Sequence, residues 1–252
     1  LAKKIFSVEK ALNILSLFNS EVHELRNIEI SEMLNIPAAT VSGLVFTLKD
    51  NGYLDQNDET KKYRLGVELL DRASVFLDQI DIRKIAKPHM EEVRNWCGES
   101  VNLALRKEKE VIYIERLLSD HSLSIHLELG KRAPIHTTAL GKAIVAFLPN
   151  NEFSELFNNY RFFSVTEYSI TDLITFKEDI QKIRNLGYAI DNQENEIGGR
   201  CIGVPIFDHN HYPFSAVSVS VPIQRLPSNR VNEYGQYLLK VSKSISKKIG
   251  CN

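Results

Sequence analysis

Cysteine is scarce in this chain: Cys97, Cys201 and Cys251 are the three in 252 residues. They are too few and too scattered for a disulfide framework or a zinc-binding spacing, and free thiols fit a cytoplasmic protein. Long apolar runs are missing too. None approaches the roughly 20 residues that a membrane-spanning helix needs. The opening LAKKIFSVEK lacks the apolar core of a secretory signal. A leading Leu in place of Met suggests a start further upstream. Charge does not lean to one sign: 31 basic residues meet 32 acidic ones, so the sum does not advertise a nucleic-acid partner. The chain has no nucleophile elbow, no phosphate-cradling Gly loop and no paired-His spacing such as H-E-x-x-H. No cofactor and no metal is expected.

What is present starts with residues 27–65, NIEISEMLNIPAATVSGLVFTLKDNGYLDQNDETKKYRL. The spacing predicts a helix over 27–34 that buries Ile30, Met33 and Leu34. Asn35 supplies a left-handed turn, and Pro37 opens a second helix over 38–51. Val41, Leu44, Val45 and Leu48 make its inner stripe, and Gly52 stops it. A strand from Tyr53, a polar turn and a return over 61–65 complete a winged helix. A preceding helix is expected from Ser7 as cap, with Val8, Ala11, Leu12, Leu15 and Phe18 inward. In this layout the second of the paired helices enters the DNA major groove.

That helix's outward face follows by elimination: Ala38, Ala39, Thr40, Ser42, Gly43, Phe46 and Thr47. It holds none of the Arg, Lys, Asn or Gln that make strong bidentate base contacts. Small residues would let it sit deep, with Ala39, Phe46 and Thr47 against thymine methyls, so an A·T-rich operator read partly by shape is expected. Packing of Phe46 against the wing or a neighbouring domain is the plain alternative. Lys61, Lys62 and Arg64 cluster on the wing as phosphate contacts; a solvated strand edge is the rival account.

Beyond the wing, Leu69, Leu70, Ala73, Phe76, Leu77 and Ile80 make a helical stripe too long for the wing to cover. Asp81 starts a further segment, broken or kinked at Pro88 and closed at Gly98. A pairing of these stripes in a homodimer would match a palindromic double-stranded operator; packing on the chain's own domains is the alternative. Strands are expected over 101–106, 111–116, 124–129, 188–191, 202–207 and 215–221. Helices are expected over 139–147, 151–158, 175–186 and 229–249. That order fits a mostly antiparallel sheet with helices on its faces, an α+β domain. The domain boundaries are 1–66 for the reader, 67–84 for a helical linker and 85–252 for the second domain.

Several segments together resemble the IclR-type transcriptional regulators: SVEKALNIL, LNIPAATVSGLVFTLKDNGYL, KKYRLG, RAPIHTTALGKAIVA, GYAIDNQENEIGGRCIGVPIFD and AVSVSVPIQRL. The resemblance covers nearly the whole chain. It implies an N-terminal winged helix-turn-helix, a GAF-like C-terminal domain that binds a small effector, and dimers that often form tetramers. It places His136, Thr138, Ala139, Leu140 and Gly141 at the effector pocket's mouth and Ile125 on one wall. Asp191, Cys201, Ser218 and Ser220 take its polar positions, with Gly199 where a bulkier apolar residue is common, which would enlarge the cavity. Free N–H groups at a helix start suit a carboxylate, so a small organic acid is the expected effector. Taken singly, the serines could serve a buried network, Cys201 the core and Asp191 a turn. Gly43 and Ala39 depart from the family's usual basic residue and Ser. The rival class is a metabolite-sensing or Cys/His enzyme-like domain without regulatory DNA binding, using His126, His136, Cys201, Asp191 and Glu194. His121, His126, His136 and Cys201 could hold a metal only if the fold gathered them.

Overall fold

The computed structural model describes residues 4–19, 21–78, 81–121 and 128–251. Its contacts divide the chain into two compact units, 1–79 and 80–252.

The first unit opens with α1 (Phe6–Leu15), α2 (Asn27–Leu34) and α3 (Ala38–Asp50). Asn35 takes a left-handed conformation (φ 52°, ψ 47°) that ends α2 and turns the chain into α3. Ile14, Ile30, Val41, Val45 and Leu54 are fully or almost fully buried and form a small core. The strands β1 (Leu54–Gln56) and β2 (Tyr63–Leu65) pair antiparallel, Asp55 opposite Arg64, and make the wing. Then comes α4 (Glu68–Asp78).

Two expectations for this unit need correcting. Ser7 lies inside α1, because the helix already begins at Phe6 with Ile5 as its cap residue. Val8, Leu12 and Met33 are exposed, not inward. Phe18 is buried as expected, and Ile14 takes the remaining burial in this region, both in the core that includes α3 residues and Leu54. A core this small covers one narrow stripe per helix, so an apolar residue a third of a turn away stays outside.

The second unit begins with α5 (Asp81–Cys97), which runs without a break through Pro88. A proline inside a helix costs roughly 3 kcal/mol. Here Ile82, Ala86, Met90 and Val93 bury a continuous face that outweighs it. Strands β3 (Ser100–Lys107) and β4 (Glu110–Leu117) form the expected hairpin. Next come β5 (Arg132–Pro134), α6 (Ala139–Ala146), α7 (Asn150–Phe157) and α8 (Leu173–Leu186). Then follow β6 (Ala189–Asn192), β7 (Gly199–Phe207), β8 (Pro213–Pro222) and, after a 3-10 turn, α9 (Val231–Lys248). The short strand β5 has no counterpart among the expected strands. Most of the strand expected over 124–129 falls outside the described residues.

The sheet order is β5-β4-β3-β8-β7-β6, antiparallel at every pairing. Strand alternation divides its two faces. Val217, Val219 and Val221 point to a core shared with α5 and α9. Ala216, by contrast, joins the core of α6, α7 and α8, and Ser218 and Ser220 share its side of β8. This is an α+β, GAF-like domain joined in sequence to a winged helix-turn-helix.

Candidate functional site

The reading helix presents the expected face. Ala38, Ala39, Thr40, Ser42, Gly43, Phe46 and Thr47 are all exposed, and Phe46 is 68% accessible. Its packing against the wing is therefore excluded within this unit. Two of the three hydroxyls on this face are turned back on the protein. Thr47 Oγ1 donates to the Gly43 carbonyl at 2.9 Å, and Ser42 Oγ donates to the Ala38 carbonyl at 2.9 Å. Ser42 Oγ also accepts from Asn27 Nδ2 at 2.6 Å, which locks α2 to α3. Apart from the exposed Thr40, what this face offers is methyl, ring and bare backbone.

On the wing, Lys61 and Lys62 lie at the turn. Asn57 Oδ1 fixes that turn by accepting from the N–H groups of Glu59 and Thr60. Arg64 differs from the lysines: its guanidinium donates twice to Asp55 Oδ2, at 2.9 and 2.6 Å. That pair holds Asp55 below, and Arg64 above, its ordinary pKa, chiefly through the hydrogen bonds themselves. Arg64 is thus a neutralised brace across β1 and β2.

The second unit holds a small, partly open cavity of about 20 Å³. It lies at the N-terminus of α6, over β7 and β8. Eight of the residues named from the family resemblance line it: Thr138, Ala139, Leu140, Asp191, Gly199, Cys201, Ser218 and Ser220. Gly203 explains how α6 comes so close to the sheet. A Cβ there would stand 2.6 Å from the Ala139 carbonyl oxygen. Thr138 caps α6, its Oγ1 accepting from Gly141 N at 3.1 Å and donating to the Pro134 carbonyl at 3.0 Å. The N–H groups of Ala139 and Leu140 precede the first intrahelical bond and are the donors this end offers.

The floor is a row of side chains across adjacent strands. Asn102 on β3 donates to Ser220 Oγ at 3.0 Å, and Cys201 Sγ donates to the same oxygen at 3.2 Å. With two donors already on its oxygen, Ser220 has its own proton to give. Asp191 on β6 is the cross-strand partner of Cys201. Its Oδ1 accepts from the N–H groups of Glu194 at 2.8 Å and Asn195 at 3.3 Å. Burial, helped by Glu194 and opposed by Lys142, pushes the Asp191 carboxyl up to about 7. Burial and the Asp191 charge push the Cys201 thiol well above its usual range.

Behind this row sits Lys142, fully buried on α6. Its Nζ is 2.6 Å from Glu194 Oε1 and 2.9 Å from Asp179 Oδ2. Burial alone would lower its pKa, but the two carboxylates more than offset that and keep it cationic.

Three expectations for the pocket do not fit. His136 is off the cavity: its Nε2 donates to the Phe163 carbonyl at 2.9 Å and its Nδ1 accepts from Tyr160 at 2.7 Å. The ring lies among Tyr160, Phe162 and Phe163, and burial keeps it neutral by lowering its pKa. Gly141 does not line the cavity either; it lets α6 pass over Ile135, whose Cα a Cβ would meet at 2.4 Å. Gly199 opens no large chamber, since about 20 Å³ holds roughly one water-sized body. Ile125 and His126 lie outside the described residues. Tyr113, Asn195 and Glu196 also line the cavity and are absent from the residues expected there. Asn195 and Glu196 have a signal in the segment DNQENE, which begins at Asp191; Tyr113 is hidden in an apolar strand.

The rival chemistry finds no support in the described residues. Cys201 is hydrogen-bonded to Ser220 with its pKa raised, and His136 is committed to the aromatic cluster. No group of His, Cys, Asp and Glu there could hold a metal ion. No described helix is long and apolar enough to cross a membrane.

An exposed helix face beside a wing, and a second unit with a small cavity at a helix start, fit a two-domain DNA-binding regulator. The comparisons with known proteins agree. Residues 74–247 match the family described as bacterial transcriptional regulator IclR C-terminal, and residues 7–58 match the IclR helix-turn-helix domain. The chain is 32% identical to the HTH-type transcriptional regulator XynR of Escherichia coli over 98% of each chain. It is also 32% identical to the crystal structure of Thermotoga maritima IclR, covering 98% of this chain and 100% of that one at TM-score 0.79. An IclR homolog from Microbacterium hydrocarbonoxydans, crystallised with 4-hydroxybenzoate, shares the fold at 22% identity and TM-score 0.83, covering 96% and 98%. This chain belongs to the IclR family of transcriptional regulators.

Proposed function

We propose that this protein is a cytoplasmic regulator that grips a palindromic double-stranded operator as a homodimer, or a tetramer built from two. In this reading residues 1–66 read DNA, 67–84 link and 85–252 sense. A small carboxylate held against the α6 N-terminus controls the grip. The observation that carries the reading is the cavity. Ala139 and Leu140 at the start of α6 and Ser218 and Ser220 on β8 all line it. Free helix-start N–H groups and hydroxyls suit an anionic group better than a neutral one.

The reading face supports an operator core rich in A·T pairs, since it offers methyl and ring surface and no bidentate donor. Val8, Leu12, Leu70 and Val75 are exposed apolar residues on α1 and α4, a surface that a second copy would cover. Effector binding must spread the cavity, because even a two-carbon acid exceeds the space available. The ligand therefore discriminates between two arrangements of the sensory unit, which is what a population shift requires.

The test is a gel shift on the chain's own upstream DNA, with and without two-carbon, three-carbon, sugar-derived and aromatic acids. Replacing Ser218 and Ser220 with Ala should weaken the effector response and leave DNA affinity intact. Loss of DNA binding in a folded double variant would refute the separation of roles.

A further inference from the structure

The cavity's lining has two carboxyl side chains, Asp191 and Glu196, and among the described residues no Lys or Arg. The buried cation behind it, Lys142, is already shared by Asp179 and Glu194. A carboxylate drawn to the N–H groups of Ala139 and Leu140 thus arrives beside acidic groups with no cation of its own. Two carboxylates held side by side at a buried position do not both stay ionised; one takes a proton.

Position decides which one. Glu196 is exposed, whereas Asp191 is 4% accessible. Asp191 Oδ1 is fixed by the backbone N–H groups of Glu194 and Asn195. That leaves Oδ2 as the place for a proton. We propose that the cavity takes up its carboxylate effector together with one proton, which comes to rest on Asp191 and is donated in a hydrogen bond to the bound anion. The proposal rests on the effector reading above. No bond in the effector is made or broken; one proton leaves the buffer and ends on Oδ2.

The groups packed around Asp191 favour this outcome. Glu194 and Glu196 approach from its own loop, and Tyr113 on β4 and Cys201 on β7 are neutral neighbours that burial keeps protonated. Lys142 on α6 and the backbone N–H groups of Glu194 and Asn195 oppose, but Glu194 and Asp179 (on α8) divide the lysine's charge. Arg116 on β4 acts on Tyr113 and has partners of its own. Because Asp191 already stands near 7, an incoming anion raises it further, and binding above neutrality must draw a proton from solution.

The experiment is isothermal titration calorimetry on the full chain at pH 6 and pH 8, in buffers of unlike ionisation enthalpy. The probes are glyoxylate, pyruvate, D-gluconate and 4-hydroxybenzoate. The probe that binds should do so about tenfold more weakly at pH 8 and take up about one proton per site there. Asp191→Asn keeps the Oδ1 acceptor and removes the titration, so its affinity should be equal at the two pH values. Should that variant fold poorly, proton uptake by the unaltered chain decides alone. A probe that binds with a flat pH profile and no proton exchange overturns the proposal and leaves the effector reading standing. Failure of all four to bind at either pH removes the effector reading and the proposal with it.

Discussion

The two units place their proposed sites on opposite kinds of surface. The α3 face is exposed: Phe46 stands in solvent, and Ser42 and Thr47 have turned their hydroxyls inward. The residues at the cavity are hidden: Asn102, Asp191, Ser218, Ser220 and Lys142 are all buried, and most are knitted into hydrogen bonds with one another or with nearby backbone. An exposed contact surface can change with little effect on folding. A buried polar network cannot, because removing one member strands the partners it bonds. The proposed DNA-reading face is thus free to change with little cost, while any ligand chemistry at the cavity is tied to the stability of its unit.

Lys142→Met tests that contrast most severely. It fills similar volume but strands Asp179 and Glu194 without their cation, and breaking a buried pair this way costs about 3–5 kcal/mol. Calorimetry should show the sensory unit melting earlier while the 1–79 unit keeps its own transition. A shift under about 1 kcal/mol would mean that water reaches the cluster.

Asp191→Asn comes next, with the opposite sign. Asp191 stands near 7 in the folded chain and near 3.8 when unfolded. A raised acid favours folding only while protonated, so its contribution is whole below the unfolded value. It is lost progressively as pH climbs to about 7, where the buried charge forms. The Asn variant should therefore be more stable than the natural chain, by an amount on the order of a few kcal/mol at pH 8 and shrinking toward pH 4. Thermal midpoints across that range check it; an equal gain at every pH would show that Asp191 does not titrate there.

The same contrast governs how much of each unit is legible in the amino-acid sequence. The reader is legible because its signals are local: Asn35 must turn left-handed, Pro37 must open a helix, and two short strands must flank a polar turn. The exceptions, Val8, Leu12 and Met33, concern burial, since periodicity shows that a stripe exists but not what covers it. In the sensor the strand order is not legible, because β3 and β8 are neighbours in the sheet yet over a hundred residues apart in sequence. No local pattern tells that Asn102 reaches Ser220, or that Lys142 is fully buried. His136 departs from its expected place for the same reason: its partners Tyr160 and Phe163 come from a distant loop.

Phe46→Ala sharpens the comparison from the other side. With the residue 68% accessible, removing its ring should change stability by less than about 0.5 kcal/mol. Operator affinity should fall roughly tenfold, about 1.4 kcal/mol. A paired melt and gel shift separate the two. A large loss of stability would mean that another surface covers Phe46 in the assembled protein.

The smallest effect is expected within the wing, where three cations look alike in sequence and are not alike in structure. Each phosphate neutralised by a protein cation contributes about 0.9 to the slope of log affinity against log salt. Lys61 and Lys62 carry charge at the turn without a carboxylate beside them among the ion pairs found in the described residues, so replacing both with Ala should flatten the slope by about 2. Arg64 is different. Its guanidinium is paired with Asp55 across the strands, and a phosphate would have to compete with that carboxylate. Arg64→Ala should therefore change the slope by less than about 1. Its main effect should be to loosen the pairing of β1 with β2 and weaken binding at all salt concentrations alike. Asp55→Ala makes the distinction decisive: it frees Arg64 and should steepen the salt dependence. If Arg64→Ala flattened the slope as much as a lysine does, the Asp55 pair would be yielding to DNA, and the wing would be gripping with all three cations.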